Sequence, residues 1–189
     1  MKHDWETYHK QTDERKPSPL LVEAVAFVPN KGRVLELGAG ALVDSKYLLD
    51  AGFTNVVALD IEKFGDLPNE RFSFVQDSFE EFDFPQDSFN LITAQFSLPF
   101  VAPNDFALVW KNIKNSLIVG GIFSGQLFGT HDSWNEHGDM NFLTKEDVEK
   151  LLDGMEVIKL KEEEYDGKTA AGDTKHWHVF HVIARKSVS

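Results

Sequence analysis

Short apolar runs alternate along this chain with stretches whose apolar residues recur every three or four positions. The first helical stretch follows Pro17 and Pro19, runs from Leu20 to Val28 and stops at Pro29-Asn30-Lys31-Gly32. Proline at a helix start and a Pro/Gly cluster past its end are the expected punctuation. Arg33-Val34-Leu35-Glu36-Leu37 then reads as a buried strand closed by glycines. Leu42, Tyr47, Leu48 and Ala51 predict a helix that ends at Gly52. Further strands are predicted over 55–60, 71–77 and 88–95. A helix from Asp105 to Leu117 carries Phe106, Val109, Trp110, Ile113 and Leu117 on one stripe. Gly120-Gly121 reads as the turn into a fifth strand, Ile122 to Phe128. A short helix follows from Thr144 to Leu152, with Thr144 as N-cap and Glu146 and Asp147 in the first turn, where the helix dipole favours acids. Two last strands, 156–162 and 175–185, flank a loop from Glu163 to Thr174. The run Lys161-Glu162-Glu163-Glu164 reads as a solvated strand end.

Strands alternating with helices predict an α/β fold: a doubly wound, mostly parallel seven-stranded sheet. The last two strands have no helix between them and should form an antiparallel hairpin at one edge. Open sheets of this kind bind ligands at the carboxyl ends of their strands. The 189 residues fit a single domain, 1–189, with residues 1–17 as a polar N-terminal lid segment.

The candidate ligand turn is Val34-Leu35-Glu36-Leu37-Gly38-Ala39-Gly40-Ala41-Leu42. Glycines between a strand and a helix permit positive φ and a close backbone approach. Asp60 ends the next strand, where a carboxylate can accept hydrogen bonds from both hydroxyls of a ribose. The dinucleotide pattern G-x-G-x-x-G lacks its third glycine, since Ala41-Leu42-Val43 follows Gly40. Glu36 suits a cationic ammonium or sulfonium better than a diphosphate.

These residues resemble motif I of the class I S-adenosylmethionine-dependent methyltransferases. Val57-Ala58-Leu59-Asp60-Ile61 resembles their second motif and Val75-Gln76-Asp77-Ser78-Phe79 their third. Phe84-Pro85-Gln86-Asp87-Ser88-Phe89-Asn90-Leu91-Ile92 and Leu117-Ile118-Val119-Gly120-Gly121-Ile122-Phe123 resemble two later signatures, with Asn90 in place of the usual Asp. The likeness runs from about Pro17 to Arg185. It implies S-adenosylmethionine as cofactor, S-adenosylhomocysteine as product and no required metal. By the same resemblance, Glu36, Gly38, Ala39, Gly40, Asp60 and Ile61 surround the methionine and ribose. Asp77, Ser78 and Phe79 surround the adenine, and Gln95 and Phe96 line the methionine side. Within the family, Ser97-Leu98-Pro99-Phe100-Val101 and Gly125 to Trp134 resemble small members that methylate small molecules, near the tellurite-resistance and thiopurine-type branches. A nicotinamide-dependent oxidoreductase and a non-catalytic adenosyl-binding protein remain the alternatives.

Three regions can close such a site. The first holds Trp5, Tyr8 and Arg15, with Arg15 expected on the methionine carboxylate. The second is Gln95 to Phe100. There Ser97-Leu98-Pro99-Phe100 departs by Leu98 from the tetrapeptide of amino-group methylases that act on nucleobases or glutamine. The third is the loop Gly129 to Phe142. Acceptor contacts are expected from Tyr8, Ser97, Leu98, Phe128, His131 and Trp134, and His131 or His137 is the candidate base. His176 and His178 share a strand face opposite His181, as two metal ligands without a third.

Charge narrows the acceptor. Basic residues number 19 and acidic residues 31, a net charge of −12. Such a body repels phosphate backbones and anionic membranes and leaves a small neutral or cationic acceptor. The absence of cysteine excludes a thiol nucleophile and disulfides. No stretch approaches the ~20 apolar residues that span a bilayer, so a cytoplasmic protein is expected, as monomer or homodimer.

Overall fold

The computed structural model describes residues 15–169 and 172–187; of His137 it describes the backbone alone. The parallel strands are β1 (Arg33–Leu37), β2 (Asn55–Asp60), β3 (Phe72–Gln76), β4 (Phe89–Ala94) and β5 (Leu117–Gly129). A two-residue strand, β6 (Phe142–Leu143), pairs with the end of β5. β7 (Met155–Lys168) and β8 (Thr174–Lys186) complete the chain, and the main sheet runs β3-β2-β1-β4-β5-β8-β7. β8 is antiparallel to both neighbours. The predicted mixed sheet with an edge hairpin is therefore present.

Helices cover both faces. α1 (Pro19–Val25) and α2 (Val43–Asp50) bury Leu20, Leu21, Ala24, Leu48 and Leu49 against Val34, Val56, Leu91, Ile122 and Ile183. On the other face α3 (Pro103–Ser116) sets Phe106, Val109, Trp110 and Ile113 against Leu35, Ile92 and Phe123. Trp110 packs edge-on against Phe123 at 4.8 Å and donates its indole N–H to the Leu151 carbonyl at 2.7 Å, tying α3 to α4 (Lys145–Leu151). α4 starts on a capping box, in which Thr144 and Asp147 exchange hydrogen bonds that hold the Asp147 carboxyl below its usual range.

Three local expectations need correction. Gly120-Gly121 does not precede the fifth strand but lies inside it. β5 starts at Leu117 and bulges against β4, with Gly120 at φ +79° absorbing the extra residues. No helix links β2 to β3 or β3 to β4. The loop expected from Glu163 to Thr174 is mostly strand: β7 and β8 stay paired out to Lys168 and Thr174, because Glu162, Glu164 and Asp166 find cross-strand partners. The acidic run is thus one half of a charged ladder rather than a solvated end.

Candidate functional site

The turn after β1 is built from backbone. Gly38 has φ +78° and Gly40 φ +49°, and Leu42 takes a left-handed φ of +61° at the start of α2. The Gly38 amide donates to the Leu59 carbonyl at 2.8 Å. Asp60 closes the turn from β2: its Oδ2 accepts the Gly40 amide at 2.9 Å and its Oδ1 the Glu62 amide at 3.2 Å. A carboxylate offers about four lone-pair positions, so two stay available to a ribose diol. Ile61 stands beside it, 51% exposed. Asp77 donates its amide to the Asp60 carbonyl and accepts that of Ser78 at 2.9 Å, so the second and third motifs meet at the ends of β2 and β3.

The loop after β4 rests on that turn. A Cβ on Gly38 would lie 2.5 Å from the Ser97 Cβ and 3.7 Å from the Phe79 ring, so Ser97 fits only over glycine. The Ser97 hydroxyl donates to the Leu37 carbonyl at 2.6 Å. Phe96 sits at φ +57°, a conformation that bulky residues rarely take, and Gln126 Oε1 holds it there by accepting its amide at 3.1 Å. Gln95 turns its amide nitrogen inward, onto Thr93 Oγ1 at 2.8 Å, Ser124 Oγ at 3.2 Å and the Ser124 carbonyl at 3.3 Å. Because a carbonyl can only accept, this fixes the amide's orientation. Gln95 Oε1, shielded from solvent, is left with no partner among the described residues.

Beneath the turn lies a buried acidic pair. Glu36 is 3% exposed and accepts from the Ser45 hydroxyl. Burial, then the nearby Asp44 carboxylate, raise its pKa well above the ordinary carboxylate value. Arg15 departs from expectation. Both its terminal nitrogens bond Asp44 at 3.0 Å, and Ser18 adds its amide at 2.8 Å and its hydroxyl at 2.7 Å. A methionine carboxylate would have to displace a buried aspartate from that guanidinium. Tyr8 and Trp5 lie outside the described residues.

Beyond Phe96 the wall is aromatic. Its ring lies 6.0 Å from Trp177 and 6.3 Å from Phe128, and Phe128 in turn lies 6.0 Å from Trp134 and 6.1 Å from Phe100. The Lys175 ammonium lies among these rings, 3.7 Å from Trp177, 4.0 Å from Trp134 and 4.5 Å from Phe128. It pairs with Asp132 at 2.6 Å, with both side chains at most 1% exposed. Asp132 also accepts the amides of Trp134 and His178. Desolvation lowers the Lys175 pKa, and Asp132 opposes that shift. Leu98, expected at the acceptor, is fully buried in the core below α3 and presents nothing to a ligand.

His131 joins a different cluster. It bonds Glu164 at 3.0 Å and stacks on His178 at 4.9 Å, away from the aromatic wall. His137 lies in the 3-10 turn Ser133–His137, and its side chain lies outside the described residues. Of the expected pair, only His178 enters a possible ligand group among the described residues, with His131 and Glu164, whose atoms lie within 4.8 Å of one another. Their hydrogen bonds argue against a preformed cation site. His178 Nδ1 accepts the His131 amide at 3.1 Å, so in the neutral ring the proton sits on Nε2, 3.0 Å from Glu162. A metal at Nε2 would have to break both bonds. Lys175 and Gln126 escaped the sequence reading. The alternation Lys175-His176-Trp177-His178, with a period of two, was the signal that separated a charged face from an aromatic one.

Residues 35–124 match the family model described as a methyltransferase domain. No curated protein sequence matches the chain. Among solved structures, Haemophilus influenzae TehB has a TM-score of 0.74 at 16% identity, covering 95% of this chain and 66% of its own. The complex between the Haloferax volcanii Trm112 methyltransferase activator and a methyltransferase gives 0.73 at 17%, covering 98% and 95%. Burkholderia thailandensis 1,6-didemethyltoxoflavin N1-methyltransferase, with its acceptor and S-adenosylhomocysteine bound, gives 0.65 at 20%, covering 97% and 85%. Residues 35–124 thus carry a methyltransferase domain, and in motif order and sheet topology the chain is similar to the class I S-adenosylmethionine-dependent methyltransferases.

Proposed function

We propose that the protein transfers a methyl group from S-adenosylmethionine to a small molecule bound at the ends of β4, β5 and β8. One juxtaposition carries this reading: Asp60, the Gly38–Gly40 turn and the acceptor loop at Ser97 are locked to one another. The residues fit the cofactor. Asp60 keeps lone pairs for the ribose hydroxyls, and Asp77, Ser78 and Phe79 line the next position for adenine. Burial raises the Glu36 pKa, and an arriving cation would lower it and favour the carboxylate. When bound, the cofactor supplies a methyl on sulfonium; the acceptor's lone pair forms the new bond while the carbon–sulfur pair stays on sulfur as a neutral thioether. What the chain adds is alignment and exclusion of water by Phe96 and its neighbours. An acceptor atom that carries a proton gives it up to solvent once the methylated product leaves the site, so no histidine is required at the wall. The chain's net charge of −12 favours a small neutral or cationic acceptor. The Burkholderia relative, named for methylating N1 of 1,6-didemethyltoxoflavin, supports a small acceptor.

Calorimetry with S-adenosylhomocysteine tests the reading. The wild-type chain should bind, and Asp60→Ala should bind at least about tenfold more weakly. A wild-type titration without heat, or an unchanged curve for the variant, would remove the assignment.

A further inference from the structure

The register places Glu36, Thr93, Ser124 and Ile183 in one row across the sheet, and Gln126 opposite His181 in the next row on the same face. Trp177 follows on that face of β8, four residues before His181. Its indole N–H is shielded from solvent and has no partner among the described residues, as is true of Gln95 Oε1. Buried polar atoms are rarely left unpaired, because each costs about 1–3 kcal/mol. The two orphans are complementary in kind. Gln95 offers an acceptor whose orientation Ser124 fixes, and Trp177 offers a donor. Phe96 links them, adjacent to Gln95 in the chain and 6.0 Å from the Trp177 ring. The wall around them is aromatic, and Lys175, which lies among its rings, is paired with Asp132.

We infer that the acceptor is a planar heteroaromatic molecule that carries an N–H donor and a carbonyl acceptor on its edge, as in a fused-ring lactam. The ring stacks against Phe96, with its edge turned toward the Trp177 indole N–H, since the two side chains are T-shaped at 73°. Its N–H bonds Gln95 Oε1, its carbonyl accepts from Trp177 Nε1, and the methyl goes to a different atom of the ring system. An aliphatic amine satisfies neither the stacking surface nor the indole N–H. This substrate class rests on the methyltransferase reading above.

The test is calorimetric titration with quinazolin-4-one, and with piperidin-2-one as the saturated lactam, each with and without S-adenosylhomocysteine. Quinazolin-4-one should bind at least about tenfold tighter than piperidin-2-one, because stacking adds to the same two hydrogen bonds. Trp177→Phe keeps a ring but removes the N–H and should weaken quinazolin-4-one by about tenfold, without weakening S-adenosylhomocysteine. Gln95→Met should weaken the probe by a similar factor. Equal affinities for the two lactams, or wild-type affinity in both variants, would overturn the inference. Failure of S-adenosylhomocysteine to bind would instead strike the methyltransferase reading, since the lactam titrations stand on their own.

Discussion

The two halves of the sheet solve different problems with different parts of the chain. At β3-β2-β1 the proposed cofactor site consists of backbone amides, positive-φ positions and one carboxylate, Asp60. At β5-β8-β7 the chain presents large side chains: the aromatic wall on one face, with Lys175 and Asp132 inside it, and the histidine–carboxylate ladder on the other. A cofactor shared by a whole family can be held by backbone geometry. An acceptor particular to one chain has to be read by side chains. The halves meet at one place, where Ser97 sits over Gly38 and Gln126 holds Phe96.

The sharpest way to break this comparison is to remove the charge at the centre of the acceptor half. Lys175→Met leaves Asp132 buried without its cation. Breaking a buried pair costs about 3–5 kcal/mol, which for a chain of this size lowers Tm by about 10 °C. Lys175→Met combined with Asp132→Leu should recover much of that loss, because the unpaired charge is gone. Thermal denaturation measures both. S-adenosylhomocysteine affinity, measured well below Tm, should stay within about twofold of wild type. A parallel collapse of cofactor binding would show that the halves are not separable.

Gly38→Ala makes the converse cut. The added Cβ meets the Ser97 Cβ at 2.5 Å on a backbone at φ +78°, so it is strained and crowded at once. The expected cost in stability is about 1–3 kcal/mol, less than for Lys175→Met, with S-adenosylhomocysteine affinity down at least about tenfold. Calorimetry and a melt on the same sample decide it. Wild-type affinity would mean that the turn can give without loss, and the backbone account of the cofactor half would fall.

The same division explains what the sequence disclosed. Backbone-built sites leave local signatures, since a positive φ needs glycine and a ribose needs an acid one strand later. The positive-φ turn at Gly38 and Gly40 was therefore legible, and so were the mostly parallel sheet and the edge hairpin. Side-chain sites depend on register between distant segments. Lys175 and Asp132 are 43 positions apart, and nothing local to either announces the other. Arg15 reads as a ligand residue in sequence because its partner Asp44 lies 29 positions on, in the first turn of a helix. The hairpin reads shorter in sequence than it is for the same reason. Glu162, Glu164 and Asp166 look solvated until the register sets them beside His178 and His176.

The smallest effect sharpens the contrast within the hairpin itself, where two histidines on opposite faces titrate in opposite directions. Hydrogen bonds that His176 donates to Asp166 and then to Glu164 raise its pKa above the ordinary 6.5. The protonated form is the one the fold prefers, so its contribution is complete below about pH 6.5 and is lost as pH rises through the folded value. Burial lowers the His181 pKa, with Glu163 opposing and Lys161 and Lys159 assisting. Here the fold prefers the neutral ring. That contribution is complete above about pH 6.5 and is lost as pH falls through that range toward the folded value. Melting curves between about pH 5.5 and about pH 8 should therefore show His176→Asn flattening the alkaline limb and His181→Asn flattening the acid limb. Two variant profiles parallel to wild type would mean that neither histidine senses its strand neighbours. The reverse pattern would mean that the aromatic face, not the carboxylate face, carries the solvent-exposed charge.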